Sequence, residues 1–144
     1  MSMSSFVTEF KDLDYQPSEA EPFMNGRQLQ YFRQKLLDWK DEIQRGARQA
    51  VDHLQTETAN HPDIADRASS ESDRALELRT QDRQRKLVSK IDEALRRIDE
   101  KNYGFCEETG EPIGLARLEA RPIATLGLEA QERHERRERV HRDD

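Results

Sequence analysis

Apolar residues recur at steps of three and four along two long stretches of this chain and almost nowhere else. In the first, Leu29, Phe32, Leu36, Trp39, Ile43, Ala47, Ala50 and Leu54 keep to one face, which predicts a helix from about Asn25 to Thr58. The second reads Leu76, Thr80, Gln84, Leu87, Ile91, Ala94 and Ile98, with Leu95 alongside, and predicts a helix from about Asp63 to Lys101. That helix would be roughly 55 Å long at about 1.5 Å per residue. Between the two, Asn60-His61-Pro62-Asp63 breaks the pattern. Pro62 cannot continue a helix, and Asn60 and Asp63 favour turns and helix starts. The chain is expected to double back as an antiparallel coiled-coil hairpin with its tip at 60–66, presenting Asp63 and Asp66. Thr80 and Gln84 are weak seam residues, so the seam thins towards that tip.

The remaining segments are less regular. Residues 1–24 are polar and acidic, contain Pro17 and Pro22, and show no sustained period. They read as a loosely ordered acidic arm with a short helix near Phe6–Phe10. After the second helix, Asn102-Tyr103-Gly104 is expected to stop it, with the glycine supplying a left-handed cap. Gly104, Gly110, Pro112 and Gly114 then punctuate a turn-rich segment that carries Phe105, Ile113, Leu115 and Leu118. A last helix runs from about Thr125 to the C-terminus, its second half nearly all charged. A thin two-helix seam is marginal by itself, so 102–144 is expected to anchor it. The fold class is mainly all-α, in three parts: arm 1–24, hairpin 25–101, and a small globular base 102–144.

Composition agrees with a striped core. Charged residues make up 38% of the 144 positions and hydrophobic ones 33%, which leaves too little apolar material for a large compact interior. The net charge of -6 argues against direct DNA binding, which needs a surplus of Lys and Arg. That charge is uneven: 63–77 hold two Arg against five acids, whereas 79–101 hold eight basic against five acidic residues. A lone cysteine rules out an internal disulfide framework and a multi-thiolate metal site. With no 18-residue apolar run and no basic-then-apolar leader, no membrane segment is expected and the chain reads as cytoplasmic.

Read locally, the chemistry is modest. Asp63 can cap the second helix with Asp66 three residues on, a pairing that stabilises a helix start by about 0.5–2 kcal/mol. Arg83 and Lys86 share a helix face and would otherwise be an ordinary solvated surface. Lys90, Arg117 and Arg121 would make a basic pocket suited to phosphates if the segment after Gly104 folds back on the second helix. Cys106 reads as a small buried side chain. A hydrolase built on His61, Asp63 and Asp66 is disfavoured, because an exposed tip offers neither an enclosed pocket nor oxyanion donors. No enzyme activity is expected.

Several stretches resemble the DksA/TraR family of bacterial RNA-polymerase-binding factors: Ala59-Asn60-His61-Pro62-Asp63-Ile64-Ala65-Asp66-Arg67-Ala68, Leu76-Glu77-Leu78-Arg79 with Asp82-Arg83-Gln84-Arg85-Lys86-Leu87, Tyr103-Gly104-Phe105-Cys106, and Ile113-Gly114-Leu115-Ala116-Arg117-Leu118-Glu119-Ala120-Arg121-Pro122. The similarity spans roughly 24–135 and matches the longer family members, which have both hairpin helices. It implies a transcription factor that enters the secondary channel of RNA polymerase without binding DNA. Initiation would change together with ppGpp in the stringent response, at ribosomal RNA and amino-acid promoters. By the same resemblance, Asp63, Asp66 and Ala68 are the tip motif acting near the active centre, and Arg83 with Lys86 dock at the channel rim. Leu87, Lys90 and Arg121 are implied as ppGpp contacts, and Arg117 joins them from the basic pocket read above; Gln131 stands where a further basic contact is usual. A monomer is expected. The alternatives are a structural coiled-coil adaptor or a Gre-like transcript cleavage factor.

One departure from the family pattern is plain. Its C4 zinc finger reads here as Cys106, Thr109, Gly127 and Ala130. Zinc needs about four N, S or O donors, and three of these positions supply none or a poor one. No structural zinc is expected. The small residues at 127 and 130 predict close packing of the last helix on the knuckle instead.

Overall fold

The computed structural model describes residues 15–60 and 64–143. Four helices are present among them: α1 (Gly26–Asn60), α2 (Ile64–Asp99), α3 (Leu115–Ala120) and α4 (Leu128–Asp143). The described residues contain no strand beyond an isolated antiparallel bridge between Phe105 and Pro112. No helix among them is long and apolar enough to cross a membrane. The mainly all-α coiled-coil hairpin read from the periodicity is the observed fold.

Asn25 starts α1. Its Oδ1 accepts from the Gln28 N–H at 2.9 Å, and its carbonyl accepts from the Leu29 N–H at 3.0 Å. Gln28 reaches back in turn: its Oε1 accepts from the Met24 N–H at 2.8 Å, and its Nε2 donates to the Ser18 carbonyl at 3.1 Å. The side chain is fully buried, so these bonds offset its desolvation. They also fasten the segment before the helix. Tyr15 meets the Tyr31 ring edge-on at 6.0 Å, Phe23 meets Phe105 at 5.5 Å, and Met24 is buried. Loose order therefore does not hold for 15–24, where aromatic residues and one buried amide supply what periodicity lacks. Residues 1–14, with the short helix expected near Phe6–Phe10, lie outside the described residues.

The end of α2 departs from expectation in its chemistry. Lys101, not a glycine, takes the left-handed conformation with φ 63°. The Asn102 N–H donates to the Arg97 carbonyl at 2.8 Å and the Lys101 N–H to the Ile98 carbonyl at 3.1 Å, the paired bonds of a Schellman cap. Gly104 serves a different need. At φ 91° a Cβ there would lie 2.8 Å from Met24 Cγ, so only glycine lets the 15–24 segment approach.

The chain divides into two compact units. The hairpin unit, 37–93, pairs the distal parts of α1 and α2, with Lys40 bridging Asp92 at 2.7 Å. Since 61–63 join two consecutive helices, the pairing is antiparallel. Trp39, Ile43, Ala47 and Ala50 are half-buried as the period predicts. Leu76 is not: it is 58% exposed. At about 100° per residue it lies roughly 80° around the helix from Gln84, while Glu77 lies within about 20°. Glu77, Thr80, Gln81 and Gln84 are the half-buried positions there, so the seam passes through Glu77 rather than Leu76 and is more polar than the period predicts.

The globular unit comprises the described parts of 1–36 and 94–144. Phe32, Leu36, Ala94, Ile98, Tyr103, Leu115 and Leu118 form its buried core. Phe32 contacts Tyr31 and Tyr103 with ring centroids 5.1 and 5.6 Å apart. Arg33 pairs with Asp99. Arg97, only 9% exposed, directs its Nη2 to the carbonyls of Phe105 at 2.8 Å and Asn102 at 3.2 Å. A buried cation satisfied by carbonyls holds the turn after α2 in place.

Candidate functional site

The tip motif falls at the break between α1 and α2. Asp63 lies outside the described residues; Asp66 and Ala68 belong to the first turns of α2, which starts one residue after Asp63. Their side chains are likewise outside the described set.

Within the hairpin unit, Arg83, Lys86 and Lys90 are exposed at i, i+3 and i+7 and so form one stripe, with Leu87 half-buried beside it. Arg79, a turn earlier and also exposed, extends that stripe. Lys86 is bridged to Asp82 Oδ2 at 3.3 Å, and Arg85 shares the same carboxylate at 3.6 Å. Solvent-exposed pairs of this kind contribute little and yield readily to a stronger anion. Although the resemblance implies separate roles for Arg83 with Lys86 and for Lys90, α2 makes the three continuous.

In the globular unit, α3 carries Arg117 and ends at Arg121. Leu115 and Leu118 anchor its inner face. Arg117 Nε donates to the Leu126 carbonyl at 3.0 Å, a structural duty that its sequence context did not reveal. Arg121 is exposed, and its backbone is pinned on both sides. Its N–H donates to the Arg117 carbonyl at 2.8 Å, and its carbonyl accepts from the Ala124 N–H at 3.0 Å. The next carbonyl, of Pro122, accepts from the Tyr103 hydroxyl at 2.7 Å. Burial holds that hydroxyl well above its ordinary range, so it stays a donor. Glu119, between the two arginines, accepts from Tyr31 Oη at 2.5 Å and from Lys35 Nζ at 2.9 Å. Partial burial raises its carboxyl, but the bonds from Lys35 and Tyr31 outweigh this and hold it below the usual range. Burial and the Glu119 bond push the Tyr31 hydroxyl up to about 12.

The knuckle is a tight reversal. Ile113 N–H donates to Gly104 O at 2.8 Å, Cys106 N–H to Glu111 O at 2.8 Å, and Gly110 N–H to Cys106 O at 2.9 Å. Cys106 is 4% exposed. Burial raises its thiol, but the Thr109 hydroxyl and the amides of Gly127, Thr109 and Glu108 win, lowering it to about 7. Cys106, Thr109 and Gly127 are thus brought together as the family spacing implies, and Ala130 is 2% exposed in the same unit. As a tetrahedral zinc site the set does not fit: it supplies one thiol and one hydroxyl, while Gly127 and Ala130 have no donor. Among the described residues no group of three His, Cys, Asp or Glu could hold a metal. Instead, Glu108 ties the knuckle to α4 through His134 Nε2 at 2.5 Å and Arg133 at 3.6 Å. α4 begins at Leu128 rather than near Thr125, with the Gln131 N–H donating to the Gly127 carbonyl at 2.9 Å.

The comparisons place this helical hairpin and its knuckle-bearing unit in a class of transcription factors. The profile of the DnaK suppressor protein DksA N-terminal domain matches residues 28–98, and that of the prokaryotic dksA/traR C4-type zinc finger matches 101–136. The chain is 76% identical over 131 residues to the RNA polymerase-binding transcription factor DksA of Caulobacter vibrioides, covering 91% of this chain and 92% of that one. With the protein of the same name from Escherichia coli it shares 42% over 125 residues, covering 87% and 83%. It also superposes on the structure of transcription factor DksA2 from Pseudomonas aeruginosa with TM-score 0.77 and 41% identity, over 96% of this chain and 99% of that one. The chain belongs to the DksA/TraR family.

Proposed function

We propose that this protein binds RNA polymerase through the secondary channel and modulates transcription initiation together with ppGpp, without binding DNA and without catalysis of its own. The observation that carries this is the 76% identity, over nearly the whole chain, with a protein named for binding RNA polymerase. The exposed stripe of Arg83, Lys86 and Lys90 supports docking at the channel rim through complementary charge. Asp63, Asp66 and Ala68 act near the polymerase active centre and destabilise the open complex. Leu87, Lys90, Arg117 and Arg121 contact ppGpp at the polymerase surface, with Gln131 in place of a further cation weakening the response. Regulation falls on ribosomal RNA and amino-acid promoters in the stringent response.

The same proposal takes the protein as a cytoplasmic monomer divided into arm 1–24, hairpin 25–101 with its tip at 60–66, and base 102–144. It holds no structural zinc. The absence of donors at Gly127 and Ala130 supports that reading, and one tightly held zinc per purified chain would overturn it. The deciding experiment is Asp66→Asn. A channel-acting factor still binds polymerase in a competition assay but loses regulation of a ribosomal promoter. A coiled-coil adaptor keeps full activity, and a Gre-like factor cleaves transcripts in stalled complexes.

A further inference from the structure

Building on the assignment of Arg121 to ppGpp, we infer that Glu119 is a positioning residue that sets how Arg121 is presented, through a clasp between α3 and α1. The helix α3 has six residues and no side-chain N-cap, so it cannot fix its own direction. Its buried Leu115 and Leu118 set its depth, but apolar contact is non-directional. Direction comes from polar bonds: Arg117 to the Leu126 carbonyl at 3.0 Å and, towards α1, the Glu119 carboxylate. Tyr31 and Lys35 stand four residues apart on α1 and converge on one carboxylate oxygen, at 2.5 and 2.9 Å. Lys35 Nζ also reaches the Glu119 backbone carbonyl at 3.1 Å, and it lies 5.9 Å from the Tyr31 ring centroid.

Arg121 sits two residues beyond this clasp. The Tyr103 bond to Pro122 closes the other side at 2.7 Å, so the stem of Arg121 is held while its side chain is exposed. Among the described residues its guanidinium has no partner, which suits a polyphosphate ligand met at low ordering cost. Lys35 has a second effect. By pairing Glu119 it keeps an acid two residues from Arg121 from repelling phosphate.

The test is a ppGpp titration of repression at a ribosomal promoter, with full-length protein and purified polymerase. Glu119→Ala is expected to raise the half-maximal ppGpp concentration about tenfold and Tyr31→Phe about threefold, as loss of charge-assisted and single hydroxyl bonds implies. Repression without ppGpp and affinity for polymerase stay unchanged in both. In an Arg121→Ala background neither substitution adds a further shift, since both act through that side chain. Equal shifts in the two backgrounds, or an unmoved titration curve for Glu119→Ala, would overturn the positioning role. If Arg121→Ala alone leaves the curve unmoved, the ppGpp reading itself fails, and the inference with it. Should Glu119→Ala lose helix content by circular dichroism, Tyr31→Phe in both backgrounds decides the matter.

Discussion

The two units of this chain are built on opposite principles. In the globular unit, aromatic rings, a buried glutamine and a buried arginine interlock, and several polar partners are distant in sequence, such as Tyr31 with Glu119 and Arg33 with Asp99. Among the residues of 37–93 whose burial is described, only Ile91 is buried. Ion pairs there largely join neighbours on one helix, such as Asp41 with Arg45 and Asp82 with Lys86. Tertiary packing therefore specifies the first unit, while local helix bonding carries much of the second. On the proposed function, a hairpin that enters a partner's channel gains from a surface that keeps its charge outside.

That contrast can be broken most severely at Phe32. Phe32→Ala is expected to cost about 3–5 kcal/mol in urea unfolding, whereas Leu76→Ala stays within about 0.5 kcal/mol. Comparable losses at both would erase the distinction. Gln28→Ala should cost about 1–3 kcal/mol, because the Met24 N–H and Ser18 carbonyl lose their partner. Limited proteolysis should then cut within 15–24 first.

The hairpin offers the reverse experiment. Gln81 Nε2 is buried with no hydrogen-bond partner among the described residues. Gln81→Leu is expected to stabilise the hairpin by about 1 kcal/mol and to slow amide exchange across 77–91. Unchanged exchange would mean that the amide is satisfied by water.

Acid should act on the globular unit. Glu108 and Glu119 are both held below their ordinary value of 4.5. For carboxyls depressed in the folded state, the stabilisation is complete above that ordinary value and is lost as pH falls through the depressed one. The thermal midpoint should therefore drop as pH falls below about 4.5, and Glu119→Gln should flatten part of that drop. Smallest of all is the expected effect of a zinc chelator at neutral pH: no shift in thermal midpoint.

Much of the fold was legible because helices advertise themselves by period. Phe32, Leu36, Ile91 and Ile98 were placed correctly by steps of three and four. The period failed where the seam is polar: near Leu76 no strong apolar residue fixes the phase, and a drift of one position exchanges Leu76 for Glu77. The cap at Lys101 was missed because glycine is the usual left-handed residue and one stood three positions away. The packing of 15–24 leaves no periodic trace, since it rests on Gln28 and on two aromatic contacts. The Glu119 clasp was invisible for a similar reason. Its partners lie 84 and 88 residues away, and no local pattern marks a carboxylate that will meet them. Of the candidate site, the basic stripe on α2 was readable residue by residue, but the duty of Arg117 to the Leu126 carbonyl was not.

The most direct measurement is the lifetime of the open complex at a ribosomal promoter, followed by competitor challenge with purified polymerase and saturating protein. The account predicts that the wild-type chain shortens this lifetime severalfold, and that Asp66→Asn, bound equally well, leaves it near the value without factor. An open complex whose lifetime is the same with wild-type protein, with Asp66→Asn and with neither would contradict it.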